Sequence, residues 1–330
     1  MGNRLGVCCP PFETRPAGAP QGEAGSWESV LNFDALLNCF GTGSCLVTQV
    51  TSGLIIGMLV FLIASGVTLI FGVLKITNFA HGSLYMAGAY IAYAMYQVSG
   101  SYFLAVVIAA LGVAVIGIVF ERLLMSRVYG SNVLMQLLVC YAVVLIADDL
   151  VKIIAGPSYR SMGMPAEFRL PPIRIAGGVI PPFYLFLIGT AAAIGVLLWG
   201  VIGYTRFGKI VRAAAANGPM VSALGIRVNV YYAAVFGLGS ALAGVGGALA
   251  APVRSLTPGM GFSILIESFI VTVIGGMGSI VGAFAAALIL GLTRAFGSIG
   301  FPLFVDGAMF LMMALVLIFK PSGLFGREIR

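Results

Sequence analysis

A segment without any charged residue runs from Leu46 to Gly72, and its 27 residues are mostly apolar. A helix needs about 20 such residues to cross the hydrocarbon core of a bilayer. The rest of the sequence agrees, because only 9% of the 330 residues are charged. Soluble domains have about 25% charged residues. We therefore expect an all-α, polytopic transmembrane helical bundle.

Further apolar segments extend this pattern, and together they predict eight or nine membrane segments. They are Ser83–Val98, Phe103–Phe120, Val133–Ile154, Phe183–Tyr204, Val230–Val253, Phe262–Thr293 and Leu303–Phe319. Phe262–Thr293 is long enough for two crossings, but Gly275, Gly276 and Gly278 interrupt it. The sequence therefore predicts discontinuous helices.

The two ends of the chain differ from this apolar part. Residues 1–45 are rich in Pro, Gly and polar side chains, and predict a polar tail with a short amphipathic piece around Trp27–Phe40. The transmembrane domain is predicted at 46–325, with a C-terminal tail at 326–330. Cys39 and Cys45 could form a disulfide only if the N-terminal region is exported, whereas Cys140 suits a packing position.

The cations predict how the chain is oriented. The loop Thr205–Asn229 has four cations and no acid, and the segment Glu121–Asn132 and the C-terminus are also basic. The positive-inside rule predicts that all three are cytoplasmic, and alternation places the loop Gly156–Pro182 outside. The net charge of +7 does not indicate a nucleic-acid partner, since the cations lie at the ends of apolar segments.

A polar interruption follows the first span, and it contains the only histidine of the chain. It reads K-I-T-N-F-A-H-G over residues 75–82, and a second interruption reads G-G-M-G-S-I-V-G-A over residues 275–283. Paired, glycine-interrupted spans point to a transporter binding site, because a broken helix frees backbone groups for a polar solute. The alternatives are that the glycines permit close packing and that His81 is a buried structural residue donating to a carbonyl.

The loop Thr205–Asn229 has its own internal pattern. Alanines favour a helix from Gly208 to Asn217, Gly218-Pro219 breaks it, and a second helix Met220–Leu224 ends at Gly225. Such an apolar loop suits docking of a soluble partner, and the alternative is a basic loop resting on anionic lipid.

Three motifs resemble one family when they are taken in order along the chain. They are N-F-A-H-G-S-L-Y-M-A-G-A-Y at 78–90, G-K-I-V-R-A-A-A-A-N at 208–217 with A-L-G-I at 223–226, and G-G-M-G-S-I-V-G-A at 275–283. They resemble the membrane permeases of branched-chain amino acid ABC importers of the LivH/LivM type, with N-F-A-H-G closer to LivH. The family usually carries Glu and then Asp or Asn where this chain has Ala216 and Asn217.

The resemblance implies functional residues in two regions. The substrate pathway would include Asn78, Phe79, His81, Gly82, Tyr85, Gly275, Gly276, Met277, Gly278 and Ser279. The ATPase-coupling loop would include Gly208, Arg212, Ala216, Asn217, Leu224, Gly225 and Ile226. With Ala216 in place of an acid, we expect docking to rely on apolar contact through Leu224 and Ile226.

The resemblance also implies partners. It implies a second permease subunit, identical or different, two cytoplasmic ATPases and an extracytoplasmic solute-binding protein, in a bacterial cytoplasmic (inner) membrane. The chain has no Walker A sequence, so ATP and Mg are expected on the ATPase and no cofactor on this chain. We expect no catalytic residue and no metal site, and hence no enzyme.

An ion-coupled secondary transporter is the main alternative function. It would also explain broken helices, but not an apolar cytoplasmic loop. The few charged residues in the membrane segments do not suggest a proton relay. Lys152 is expected to form an interfacial ion pair with Asp148, four residues earlier, or with Asp149. Glu267 and Asp306 are expected near the outer interface.

Overall fold

The computed structural model describes residues 33–76, 78–175 and 177–326. Residues 77 and 176, residues 1–32 of the predicted N-terminal tail and residues 327–330 of the predicted C-terminal tail lie outside it. In the described ranges the helices are α1 Phe33–Gly41, α2 Gly43–Leu74, α3 His81–Ser99, α4 Tyr102–Phe120, α5 Ser126–Val128, α6 Val133–Ala155, α7 Pro182–Tyr204, α8 Arg206–Ala223, α9 Val228–Ala250, α10 Met260–Gly275, α11 Ile280–Gly300 and α12 Val305–Phe319.

Short elements complete the chain. A π-helical segment, Glu121–Met125, joins α4 to α5, and 3-10 turns cover Ala166–Phe168 and Pro302–Phe304. Strands β1 Ile173–Ile175 and β2 Gly178–Ile180 form an antiparallel hairpin. Six helical segments of the described chain are long and apolar enough to cross a membrane, and α10 is a shorter apolar helix. The predicted all-α transmembrane class is thus confirmed, while the number of eight or nine spans stays a prediction.

Helix α2 lies at the centre of the bundle, against α9, α10 and α11. Most of its residues between Gly53 and Val73 are buried. It meets α11 through facing glycines, with Gly53 and Gly57 against Gly291. Small residues let two membrane helices approach backbone to backbone, where dispersion contacts hold them together. This use of glycine accounts for part of the unusual count of 45.

The three basic segments lie at the same end of the bundle, as the charge pattern predicts. The Tyr129 ring lies 6.2 Å from that of Tyr232, which joins the segment after α4 to the region of α8. At the opposite end, the Tyr102 amide donates to Glu167 Oε1 at 2.8 Å. There Arg160 also pairs its backbone with Leu256, so the loop between α6 and α7 lies beside the loop between α9 and α10.

Charge separates the two ends sharply among the described residues. The first end carries eight cations and one acid: Lys75, Arg122, Arg127, Arg206, Lys209, Arg212, Arg227 and Lys320, with Glu121. The other end carries six of each sign: Lys152, Arg160, Arg169, Arg174, Arg254 and Arg294, with Asp34, Asp148, Asp149, Glu167, Glu267 and Asp306. The positive-inside rule assigns the first end to the cytoplasm, and we call it the inner end.

Helix α1 lies at the outer end, within the segment predicted as a tail. Its Phe40 ring stacks on Phe296 of α11, with ring centroids 5.4 Å apart. A disulfide joins Cys39 to Cys45, with a Cα–Cα distance of 5.2 Å. The pairing that the sequence left open is therefore present, at the end that the positive-inside rule predicts to lie outside.

Candidate functional site

The first interruption is a turn that folds back along α2. Helix α2 ends at Leu74, and Lys75 adopts the left-handed conformation with φ 56°. The chain then returns, so that His81 at the start of α3 lies against Gly66. Gly66 precedes the end of α2 by eight residues, about 12 Å along a helix. Asn78 holds the turn, because its Oδ1 accepts a hydrogen bond from the Ala80 amide at 3.1 Å.

His81 lies in the interior of the bundle. Its side chain is fully buried, with the ring against Gly66, which itself contacts Gly239 of α9. The backbone of Ile63 faces the ring but lies outside hydrogen-bond geometry. Neither ring nitrogen has a hydrogen-bond partner among the described residues, so the expected hydrogen bond to a carbonyl is not seen, and the role of His81 stays a prediction.

Gly82 and Tyr85 are packing residues. A Cβ on Gly82 would collide with the Gly261 carbonyl oxygen, so this glycine permits contact between α3 and α10. The Tyr85 side chain is 1% exposed. Three of the predicted pathway residues are therefore enclosed by neighbouring helices.

Other predicted pathway residues line an apolar cavity of about 270 Å³ beside α2, α10 and α12. Its walls include Val67, Asn78, Phe79, Phe262, Phe269 and Met277. Asn78 is the main polar feature here, since it is buried and its Nδ2 has no hydrogen-bond partner among the described residues. An amide donor left in this state is costly, and a polar ligand would satisfy it.

The second interruption lies between α10 and α11. Gly276 and Gly278 have φ of 97° and 93°, which residues other than glycine rarely adopt. Ser279 caps α11 by accepting from the Gly282 amide at 3.0 Å. Gly278 also touches Gly72 near the end of α2, so the structure brings the two interruptions together.

The segment that follows α12, residues 320–326, occupies backbone groups that this interruption frees. The Leu324 amide donates to the Ile274 carbonyl at 2.8 Å, and the Phe325 amide donates to the Gly275 carbonyl at 3.1 Å. Residues of this segment, not a solute, satisfy these two carbonyls. Met277 remains 53% exposed and lines the apolar cavity.

Helix α8 forms the predicted coupling loop, and it is anchored at its first turn. The Thr205 hydroxyl accepts from the Gly208 amide at 3.2 Å. The Arg212 guanidinium donates to the carbonyls of Ile202 and Gly203, which end α7. Val211 is buried in a cluster with α2, α7 and α9. The loop is therefore fixed to the membrane helices.

Helix α8 is kinked at Asn217, where φ is −153° and ψ is 87°. Two helical pieces were expected, and the break falls at Asn217 instead of Gly218-Pro219. Asn217 acts as an N-cap, since its Oδ1 accepts from the Met220 amide at 3.0 Å. Pro219 then stands inside the first turn, where its missing N–H costs little. The second piece ends at Ala223, and Gly225 follows with φ 82°.

The exposed side chains of this loop differ in part from those expected. Leu224 is 74% exposed and Met220 is 60% exposed, while Ala216 and Asn217 also face outward. Ile226 is instead half-buried against Ala214, Val221 and Val228. The turn at Gly225 directs it back, as a hydrophobic contact after a helix end often does.

An ion pair of the expected kind forms at the end of α6, with Asp149 as the acid. Lys152 pairs with Asp149 at 2.8 Å and not with Asp148, which faces the backbone of Gly259. The sequence missed a larger cluster at the outer end. Glu267 of α10 is buried and pairs with Arg294 of α11, and its second oxygen lies 4.0 Å from Arg254. Arg294 lies just beyond the predicted span, so no local pattern linked these residues.

No group of three or more possible metal ligands occurs in the ranges 33–76, 78–175 and 177–326. What the geometry offers is an apolar cavity with an amide donor, a buried ion cluster and a rigid, partly apolar helix at the inner end. These features suit passage of a small solute and docking of a partner.

Comparisons with known proteins agree with this arrangement. The BraD high-affinity branched-chain amino acid transport system permease protein of Pseudomonas aeruginosa is 31% identical over 294 residues, covering 84% of this chain and 95% of BraD. LivH of Escherichia coli K12, with the same description, is 30% identical over 295 residues with the same coverage. The probable branched-chain amino acid transport permease protein LivH of Methanocaldococcus jannaschii is 25% identical over 288 residues, 81% of this chain and 89% of the relative.

A solved structure, PsaBC from Streptococcus pneumoniae in complex with Fab, aligns with a TM-score of 0.46 and 14% identity, over 87% of this chain and 94% of that one. This likeness is too low to carry an argument. The family described as branched-chain amino acid transport system / permease component matches residues 49–319. That match and the identity to BraD show that the chain belongs to the permease components of branched-chain amino acid transport systems.

Proposed function

We propose that this chain is the transmembrane permease subunit of an ATP-driven importer, which translocates a branched-chain amino acid delivered by a binding protein. Family membership over residues 49–319 is the observation that carries the proposal. Nothing in the comparisons supports the ion-coupled secondary transporter. The multi-pass chain would lie in the bacterial cytoplasmic membrane.

The inner end supplies the proposed docking site for two ATPases. Leu224 and Met220 project from the end of α8, whose first half is fixed to α7 by Arg212. An exposed apolar patch on a rigid helix suits a partner better than it suits water. ATP and Mg would bind to the ATPases, and this chain would have no catalytic role and no cofactor of its own.

The face of α10 supplies the proposed pathway. Phe262, Phe269 and Met277 are exposed there, around the cavity that Asn78 lines. An unpaired amide donor is unfavourable against lipid, which favours a water-lined route closed by a second permease subunit. The binding protein would dock at the outer end. His81 would support the turn that places Asn78, without touching solute.

Reconstitution tests this proposal. The chain, its ATPases and its partner permease are placed in proteoliposomes with the binding protein, and uptake of radiolabelled leucine is measured. We expect uptake to require ATP and to stop with vanadate, while an ionophore leaves it unchanged. Uptake that persists without ATP and collapses with the ionophore would contradict the proposal.

A further inference from the structure

A second cavity of about 270 Å³ lies beside the apolar one. The two share Ile266, Ile270 and Phe310 in their walls, so they adjoin along α10 and α12. The second cavity differs in chemistry, because Glu267, Arg294 and Asp306 line it. One continuous face therefore offers an apolar compartment next to a compartment with both signs of charge.

Glu267, which lines this second cavity, has a carboxylate oxygen that accepts no hydrogen bond. The residue is 6% exposed, and its Oε1 accepts a hydrogen bond from Arg294. Its Oε2 has no hydrogen-bond partner among the described residues, and the Arg254 guanidinium is 4.0 Å away. A buried carboxylate oxygen without a donor is costly, so the site is suited to a ligand that brings one.

Arg294 has hydrogen-bond donors that Glu267 does not use. A guanidinium has five N–H donors in a planar fork. In the described part of the chain, the hydrogen bond to Glu267 occupies one of them. The side chain is 29% exposed and lines the cavity, so its remaining donors can receive a carboxylate. Acceptor and donor thus lie side by side.

We propose that the two cavities together form a binding site for a zwitterionic amino acid with an aliphatic side chain. Glu267 Oε2 takes the α-ammonium group, helped by the Asp306 carboxylate, and Arg294 takes the α-carboxylate. The side chain passes Ile266 and Ile270 into the apolar cavity. This assignment rests on the proposed function and adds the residues that hold the solute. The site would therefore discriminate against other small solutes. Urea and neutral amides lack both charges, and aromatic acids without an amino group lack the ammonium group.

A purely structural role for the cluster makes a different prediction. Glu267, Arg294 and Arg254 lie on α10, on α11 and in the loop after α9, and could serve only to tie these elements together. Removing the charge of Glu267 would then alter stability without changing which ligands bind. Ligand selectivity therefore separates the two roles.

The test uses the full importer in nanodiscs without its binding protein, with radiolabelled leucine as the probe. Competitors are 4-methylpentanoate, which lacks the ammonium group, and isopentylamine, which lacks the carboxylate. We expect saturable leucine binding, with both competitors at least tenfold weaker than leucine. In Glu267→Gln leucine should bind at least tenfold more weakly and lose its advantage over 4-methylpentanoate. Asp149→Asn, at an exposed outer-end acid that pairs with Lys152 and lines neither cavity, is the matched control.

A second variant covers the case in which Glu267→Gln does not assemble. Ile266→Trp fills the junction of the two cavities and leaves the ions in place, so it should abolish leucine binding at an unchanged unfolding temperature. Normal leucine binding by Ile266→Trp, or by an assembled Glu267→Gln, would overturn the site. So would absence of saturable binding in a wild-type complex that imports leucine. A wild-type complex that imports no leucine would refute the proposed function instead.

Discussion

Asn217 caps the second half of α8 through a hydrogen bond of 3.0 Å from the Met220 amide to its Oδ1. This contact fixes the angle at which Met220 and Leu224 leave the inner end. Replacing an N-cap Asn with Ala costs about 0.5–2 kcal/mol. We expect Asn217→Ala to weaken coupling, measured as binding-protein-stimulated ATPase activity, while Asn217→Ser retains most of it. Equal activity in both variants would show that the cap does not matter.

Leu224 should carry much of the apolar docking surface, since it is 74% exposed. Leu224→Asp places a charge at the centre of the proposed contact, and we expect the ATPases to be lost on co-purification. Val98→Asp is the control, because Val98 is 83% exposed but lies in the last turn of α3, at the outer end. Retention of the ATPases and of transport by Leu224→Asp would exclude this surface.

Asn78 should matter to transport more than its neighbours on α3. Asn78→Leu keeps the approximate volume but removes the buried amide donor, which has no hydrogen-bond partner among the described residues. We expect leucine uptake to fall at least tenfold with normal assembly.

His81→Ala should slow uptake through the turn that His81 supports. It should also lower the unfolding temperature, because a buried side chain is removed. Slower uptake at an unchanged unfolding temperature would instead favour solute contact by His81.

Tyr129 forms a partly buried hydrogen bond with Glu121, the first residue of the π-helical segment. The Tyr129 hydroxyl donates to Glu121 Oε1 at 2.6 Å, and Glu121 is 2% exposed. Burial, and then the Glu121 carboxylate, raise the pKa of Tyr129 well above its usual range, so the phenol stays a donor at physiological pH. Tyr129→Phe should destabilise the protein by about 1–3 kcal/mol, measured by thermal unfolding. Tyr159→Phe, on an exposed tyrosine, should change little.

The Cys39–Cys45 disulfide predicts a simple chemical result. Alkylation of unfolded protein without reductant should modify neither cysteine, and both should react after reduction. The closed loop is short, so Cys39→Ser should lower stability by about 2 kcal/mol on the chain-entropy estimate. Alkylation of both cysteines before reduction would contradict the bond.

The membrane helices could be predicted from the sequence because their cause is local. The uncharged segment Leu46–Gly72 lies within α2, and the glycines after Ile274 mark where α10 ends. Local chemistry also predicted the two pieces of α8, although the Asn217 cap moved the break. The predicted inner end followed from the cations, which report on neighbouring segments without any knowledge of packing.

The contacts that shape the site could not be predicted in this way. Glu267 and Arg294 lie 27 residues apart and meet only because α10 packs on α11. Likewise, no periodicity shows that His81 folds back to Gly66 and is enclosed, while Asn78, three residues earlier, lines a cavity. These outcomes depend on how helices dock, which a single sequence does not encode in a short window.

The hydrogen bonds from Leu324 and Phe325 to Ile274 and Gly275 can form only late in the synthesis of the chain. Helices α10 and α11 leave the ribosome before the tail that completes the turn between them. Two carbonyls at that turn must therefore stay hydrated, or be held by another protein, until residues 320–326 have been made. The last-synthesised part of the described chain thus completes the hydrogen bonding of a membrane turn that was inserted earlier.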